Sequence, residues 1–425
     1  MASYSSNYLR LLSYTKLLTS HVNNGRHHQA LSLFQHIHSS LSQCLDPFIF
    51  PLALKSSSFL RRPDIGASIH ALAVKSSFVN SPFVACGLVD LYGKCVSIFS
   101  ARQVFDEIPE RNVVVWNSMI SLYTRSKDMQ SALNLFNAMD FPPNASTFNT
   151  IIMGFSEMED GLFDTLKFYR KMQETNIQPN LITLLGLLRA FVSVSALHLI
   201  KEMHAFSIRT DIDPNSHLSS GLVEAYGRCG CLQKARFVFD SIKQKDVVAW
   251  SSLISAYALH GQAGKALETF EQMESQNVRA DEITFLGVLK ACSHAGLADV
   301  ALMYFSRMND HYGVGPNSDH FACLVDVLSR AGRLHEAYEV LRKMSTKATA
   351  KAWGALLGAC CTFGEVDLAE ISGRALLEIE PNNPANYVLL ARIYGGWGRY
   401  EEAEKVRNEM VKRGINVSPG SSWVA

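Results

Sequence analysis

GLVDLYGKCVSIFSARQVFDEI, running from Gly87, returns 134 residues later as GLVEAYGRCGCLQKARFVFDSI from Gly221, with 12 of 22 positions identical. The same offset aligns VWNSMISLYTRSKDMQSALNLFNAM, from Val115, with AWSSLISAYALHGQAGKALETFEQM, from Ala249. A third copy of the first type starts near Cys323 as CLVDVLSRAGRLHEAYEVLRKM. A compound unit therefore recurs, built from smaller units of roughly 31 to 36 residues, the size of helical-solenoid repeats.

Each small unit reads as two helices. Trp250, Leu253, Ile254 and Tyr257 recur at helical spacing and mark one apolar face of a first helix. His260-Gly261-Gln262 breaks the pattern, and Ala266, Leu267, Phe270 and Met273 mark a second helix. Trp116, Met119, Ile120 and Tyr123, followed by Ala132, Leu133, Phe136 and Met139, repeat the arrangement. The register of Trp116, Trp250 and Trp353 with the aliphatic stripe predicts core packing rather than base stacking. Pro179, Pro214 and Pro316 fall between units, where a helix must stop. One such pair is too small to bury its own core. Stacking predicts an all-α superhelix with a concave groove.

The 425 residues hold 40 Lys plus Arg against 39 Asp plus Glu. A chain so balanced has no long-range pull on a polyanion. Nucleic-acid binding would have to come from a local basic stripe and from base contacts. Nine cysteines are scattered without a single Cys-x-x-Cys, which points to free thiols rather than to disulfides or zinc. The most apolar stretch, Ile182 to Ile200, is interrupted by Arg189 and His198 and reads as two soluble helices; no membrane partner is expected. Before the first acidic residue, Asp46, stand Arg10, Lys16 and Arg26 among many Ser and Thr, a pattern similar to an organellar transit peptide. It would start in residues 1–10 and either be very short or overlap the first repeat.

The first-helix phrase VAWSSLISAY and the second-helix phrase KALETFEQM resemble the pentatricopeptide repeat (PPR), and the alternating unit lengths resemble its plant PLS subgroup. DEITFLGVLKACSHAGLADVALMYFSRM, from Asp281, resembles the last long unit of such arrays. AKAWGALLGACCTFGEVDLAE, from Ala350, and NPANYVLLARIYGGWGRYEEAEKVRNEM, from Asn383, resemble the two E motifs. The resemblance implies a right-handed α-solenoid. Its units are placed at about 11–46, 47–81, 82–112, 113–144, 145–180, 181–215, 216–246, 247–281, 282–317 and 318–349. E motifs at about 350–383 and 384–417 and a tail at 418–425 follow. The unit at 145–180 carries one extra residue near Gly161.

By this resemblance, the fifth and last residues of a unit together recognise one base of single-stranded RNA. The candidate pairs are Thr15 with Asp46, Asn117 with Asn144, Asn149 with Asn180, Ser220 with Asp246, and Ser251 with Asp281. Thr or Ser with Asp implies guanine, and Asn with Asn implies pyrimidines. Second-position residues such as Val114 and Val248 would sandwich the base. Short polar residues at a helix start are also ordinary caps, so each pair has a purely structural alternative. Pro51, Leu185, Leu286 and Ala322 occupy the fifth position elsewhere and imply weak reading, and Cys86 with Asn112 is ambiguous. Positions 13 (Lys94, Arg125, Arg228, Arg330) and 9 (Lys55, Arg189, Lys290) share a helix face with the fifth residue and predict a basic track for phosphates.

The deaminase tail found in some relatives needs His-x-Glu and Cys-x-x-Cys for zinc and proton transfer. Neither string occurs; His335-Glu336 is adjacent, not spaced. No cofactor and no catalytic residue are expected, so the chain reads as a non-enzyme. The resemblance implies a site-recognition factor for cytidine-to-uridine editing in mitochondria, with chloroplasts as the alternative. Its E motifs would recruit a DYW-type deaminase in trans, helped by multiple-site organellar editing accessory proteins. RNA binding without editing, affecting transcript stability, splicing or translation, is the second reading. A protein-interaction scaffold is the third.

Overall fold

The computed structural model describes residues 2–40, 46–212, 217–344 and 348–415, with side chains from Arg10 onward. Among the described residues there are 24 α-helices and no strand. They fall into two compact bodies, Met1–Val194 and Ser195–Ala425.

The first body holds α1 (Ala2–Asn23), α2 (His27–Ser40), α3 (Ile49–Phe59), α4 (Pro63–Lys75), α5 (Pro82–Cys95) and α6 (Ile98–Glu107). It continues through α7 (Val113–Arg125), α8 (Met129–Asn137), α9 (Ala145–Ser156), α10 (Leu162–Glu174) and α11 (Leu181–Ser193). Odd-numbered helices pack on one another in succession, and each even-numbered helix packs on the odd one before it. Helices of this length are marginal alone. Their stability comes from a continuous core that runs through Leu18, Phe50, Leu88, Ile120 and Ile151, all completely enclosed. Each such side chain contributes about 1.5–3 kcal/mol on burial.

The second body begins with α12 (Leu197–Thr210), α13 (His217–Arg228), α14 (Leu232–Ser241), α15 (Val247–Leu259), α16 (Ala263–Ser275) and α17 (Glu282–Ala295). Then come α18 (Ala298–Asp310), α19 (Ser318–Arg330), α20 (Leu334–Lys343), α21 (Ala350–Phe363), α22 (Val366–Ile379), α23 (Pro384–Gly396) and α24 (Tyr400–Lys412). Helices α13, α15, α17, α19 and α21 stack in order. The succession changes at α23, which packs on α22, and a small separate core of Leu390, Ala391, Tyr394 and Ala403 forms there.

The repetition of the sequence is repeated in three dimensions. Trp116 meets the Phe105 ring edge-on at 5.0 Å, and 134 residues later Trp250 meets Phe239 in the same way at 4.8 Å. His70 Nδ1 lies 3.1 Å from the Tyr92 hydroxyl, and His204 Nδ1 lies 3.1 Å from that of Tyr226. Trp116 and Trp250 are core residues as expected, but Trp353 is only half-buried, leaning on Tyr338 near the end of the stacked helices. Gly261, in the break after α15, takes a φ of +69°, in the left-handed region that glycine accepts without strain.

The turn between α9 and α10 spans residues 157–161, longer than the 126–128 turn between α7 and α8. A Cβ at Gly161 would sit 1.8 Å from the Phe155 carbonyl oxygen, so the lengthened turn closes only over glycine. Pro179 and Pro316 lie in interhelical segments; Pro214 and residues 418–425 lie outside the described residues. The apolar stretch from Ile182 is divided between α11 and α12, and among the described residues no helix is long and apolar enough to cross a membrane. Residues 2–10, within the stretch read as a transit-peptide start, lie in α1.

Candidate nucleic-acid interface

A helix begins with backbone N–H groups that no earlier turn can satisfy. Here the chain supplies the missing acceptors from short polar side chains in extended backbone. Asn112, Asn144, Asn180, Asp246, Asp281 and Asn317 precede α7, α9, α11, α15, α17 and α19, and each side-chain oxygen accepts a first-turn N–H. Such caps contribute about 1 kcal/mol each. Asn144, Asn180, Asp246 and Asp281 are therefore structural residues before they are anything else. At Asn144, Asn180 and Asp281 the cap is reciprocal, with Thr147, Thr183 or Thr284 returning a hydroxyl to the cap's own N–H.

Three of the five candidate pairs are joined directly. Asn117 Nδ2 donates to Asn144 Oδ1 at 3.3 Å, Asn149 Nδ2 to Asn180 Oδ1 at 3.0 Å, and Ser220 Oγ to Asp246 Oδ1 at 3.2 Å. Ser251 instead turns its hydroxyl to the Val248 carbonyl, while Asp281 caps α17. Thr15 likewise bonds the Leu11 carbonyl, and Asp46 accepts from the Phe48 N–H.

Asn149, Ser220 and Ser251 are only 5%, 1% and 4% exposed, whereas Asn144 and Asn180 lie open to solvent. Asn149, Ser220 and Ser251 thus form nearly enclosed floors and Asn144 and Asn180 accessible edges, while Thr15, Asn117, Asp246 and Asp281 are half-buried. Cys86, the fifth residue of its unit, is half-buried, and burial pushes its thiol pKa up.

In the first body a pocket of about 420 Å³ opens over this floor, lined by Asn149, Asn180, Thr150, Arg125, Glu157 and Ile182. It combines hydrogen-bonding groups with an exposed aliphatic side chain, a combination suited to a planar polar ring. The second-position residues Val114 and Val248 are 53% and 52% exposed. The same register holds Phe48, Phe83, Ile182 and Ile283, all more than half exposed. Six large apolar side chains held out of the core at one repeat position are not left there by chance packing. Phe48 and Phe83, the second residues of the neighbouring units that hold Pro51 and Cys86, lean on each other with ring centroids 5.6 Å apart.

The predicted basic track is mixed in charge. Lys94 pairs with Asp90 at 2.8 Å, Arg228 with Glu224 at 3.1 Å and Arg330 with Asp326 at 3.1 Å, each within one helix. Arg189, on α11, pairs with Glu157 in the turn after α9. Lys55, Arg125 and Lys290 are exposed and have no carboxylate within 4.0 Å among the described residues. The four carboxylates sit at the same ninth and thirteenth positions as the cations; reading both signs in that register would have revealed them. Among the described residues no cluster of three or more His, Cys, Asp or Glu is arranged to hold a metal ion.

Comparison with known proteins agrees with the hairpin geometry. The PPR repeat family matches residues 111–157 and 245–294, and PPR repeats match 12–40, 220–247, 283–311 and 312–345. The E motif matches 363–425. The chain belongs to the pentatricopeptide-repeat family and carries an E motif. It is similar to the Arabidopsis thaliana pentatricopeptide repeat-containing protein At1g03510, at 56% identity over 99% of this chain and 98% of that one. It is 36% identical to the chloroplastic Arabidopsis protein At3g57430 and 31% identical to the mitochondrial At3g53360. Those alignments cover 88% and 97% of this chain but only 39% and 63% of the relatives' lengths. The fold matches the crystal structure of pentatricopeptide repeat protein PPR10 in complex with an 18-nt psaJ RNA element, with a TM-score of 0.72 and 18% identity. That match covers 95% of this chain and 60% of PPR10.

Proposed function

We propose that this protein binds a specific segment of single-stranded organellar RNA, one base per repeat, and marks a cytidine for editing by a deaminase acting in trans. The observation that carries the reading is a recurring set of groups along the first helices. Fifth residues Asn117, Asn149 and Ser220 are bonded to the capping residues Asn144, Asn180 and Asp246, and exposed aliphatic second residues flank these pairs at Val114, Ile182 and Val248. RNA sequence is read in this way on unstacked bases, by hydrogen bonds to one edge and apolar contact on the face. Asp246 uses one carboxylate oxygen for the cap and for Ser220, which leaves the other to accept N–H groups from a guanine edge.

The repeats supply recognition and the E motif supplies recruitment. The partner would be a DYW-type deaminase, with multiple-site organellar editing accessory proteins assisting. The proposed units are those given by the sequence, and the proposed compartment is the mitochondrion, with the chloroplast as the alternative, since relatives are named for both.

Sequencing organellar transcripts from a plant lacking this protein tests the reading. Loss of editing at one cytidine is the expected outcome. Full editing with altered abundance or splicing of one transcript would instead assign RNA binding without editing. Absence of salt-dependent binding to single-stranded RNA would leave only a scaffold.

A further inference from the structure

Hydrogen-bond bookkeeping around Thr183 singles out one residue that is not itself a base reader. The Thr183 hydroxyl is completely enclosed. It accepts the Asn180 N–H at 3.1 Å, and its one hydrogen faces two amide oxygens, Asn149 Oδ1 at 2.6 Å and Asn180 Oδ1 at 3.2 Å, of which the nearer takes it. Asn180 Oδ1 meanwhile accepts the Thr183 N–H at 3.2 Å and the Asn149 amide at 3.0 Å. An amide oxygen has two lone pairs, so that of Asn180 is fully used. The Asn149 oxygen is held by the hydroxyl beneath it.

We infer that Thr183 is a positioning residue that fixes the amide orientation of Asn149. The Asn149–Asn180 pair then turns its N–H donors to the pocket, two from Asn180 and one from Asn149, with the Asn149 oxygen directed to Thr183. A donor edge complements a base with adjacent acceptors, such as O2 and N3 of cytosine, and opposes one that places an N–H there. The inference rests on the proposed reading of RNA by this pair.

The repeat before it supplies the contrast. Thr147 makes the same reciprocal cap with Asn144, but the two hydrogen bonds of its hydroxyl both go to that cap. Asn117 Oδ1 is left buried without a partner. The same pair of amides is therefore pinned from below in one repeat and not in the other.

The test measures ratios of affinity on one preparation, so that any misfolded fraction cancels. Selection from randomised single-stranded RNA, with wild type and an N149A/N180A variant, identifies the nucleotide read by this pair. Four RNAs differing only there are then titrated. Wild type should prefer its best base by about tenfold. T183V should lower that ratio by at least about threefold, and T183S, which restores the hydroxyl, should recover it. T147V, which removes an equivalent cap, should leave the ratio at its own nucleotide within about twofold. A T183V ratio within about twofold of wild type overturns the positioning role while leaving the pair as a reader. Wild-type protein with no preference that N149A/N180A removes overturns both.

Discussion

Lys94 Nζ lies 2.8 Å from Asp90 Oδ2, four residues earlier on α5, and the same pairing of position 13 with position 9 recurs at Arg228 with Glu224 and Arg330 with Asp326. A phosphate reaching any of these cations must first displace a carboxylate. Exposed pairs of this type are worth only about 0–1 kcal/mol, so displacement is feasible, but the freed carboxylate stays beside the phosphate and offsets the neutralisation. For single strands, log K falls with log salt at about 0.7 per neutralised phosphate. With Lys55, Arg125 and Lys290 alone engaged the slope should be about −2, against about −5 for all seven cations. D90N, E224Q and D326N together should steepen it to about −4. Titrations across a salt series give the slope directly, and an unchanged slope in the triple variant would refute the neutralised ridge.

Ser251 and Asp281 give a direct trial of base reading. The Ser251 hydroxyl is turned to the Val248 carbonyl, leaving the pocket edge to the Asp281 carboxylate. Ser251→Asn places an amide beside that carboxylate. Preference at its nucleotide should move from guanine toward uracil, by about tenfold in the ratio of dissociation constants for matched RNAs. An unaltered ratio would remove this pair from the interface.

Packing and binding should separate cleanly between neighbouring residues of α15. Trp250 is 1% exposed and packed edge-on against Phe239. Trp250→Ala should cost about 3–5 kcal/mol in urea unfolding. Val248, two residues earlier and half exposed, makes no comparable contribution. Val248→Ala should alter stability by less than about 0.5 kcal/mol and yet weaken RNA binding. Equal effects of both changes on stability would place Val248 in the core.

Close helix contact makes a further stability prediction. A Cβ at Gly227 would stand 2.4 Å from Ala256 Cβ, where α13 crosses α15, and alanine has no flexible end to withdraw. Gly227→Ala should destabilise by about 1–3 kcal/mol. Gly264, on α16, has nothing within 4 Å of such an atom. Gly264→Ala should be neutral or stabilising by up to about 1 kcal/mol. Thermal melts of the two variants check both signs.

The paired imidazoles should make stability pH-dependent. Burial lowers the pKa of His70 and His204 below the ordinary 6.5, opposed by Glu107 at the first and helped by Lys234 at the second. The unfolded chain therefore takes up these protons first. Stability is complete above about pH 6.5 and declines as pH falls below it. The urea midpoint should drop between about pH 7.5 and about pH 5.5, and H70Q/H204Q should flatten that drop. A profile as steep in the double variant would assign the effect to other groups.

The hairpins, their stacking faces and the helix breaks were all written in the spacing of apolar residues along the chain. A side chain's place on a helix face follows from its sequence separation, and Trp250, Leu253 and Ile254 could be placed in the core from periodicity alone. The caps were legible too. Asn180-Leu-Ile-Thr183 and Asp281-Glu-Ile-Thr284 follow the capping-box spacing.

What periodicity does not encode is the contact between residues of different hairpins. That Asn149 bonds Asn180 while Ser251 turns away from Asp281 depends on side-chain reach across two packed helices. That Arg189 finds Glu157, in the turn after α9, depends on how α9 and α11 are rotated against each other. Local hydrogen bonding and apolar spacing thus determined which residues cap, pack and face outward. Only tertiary packing decided which of the polar ones touch, because a hydrogen bond tolerates a few tenths of an ångström and sequence spacing specifies no distance between separate helices.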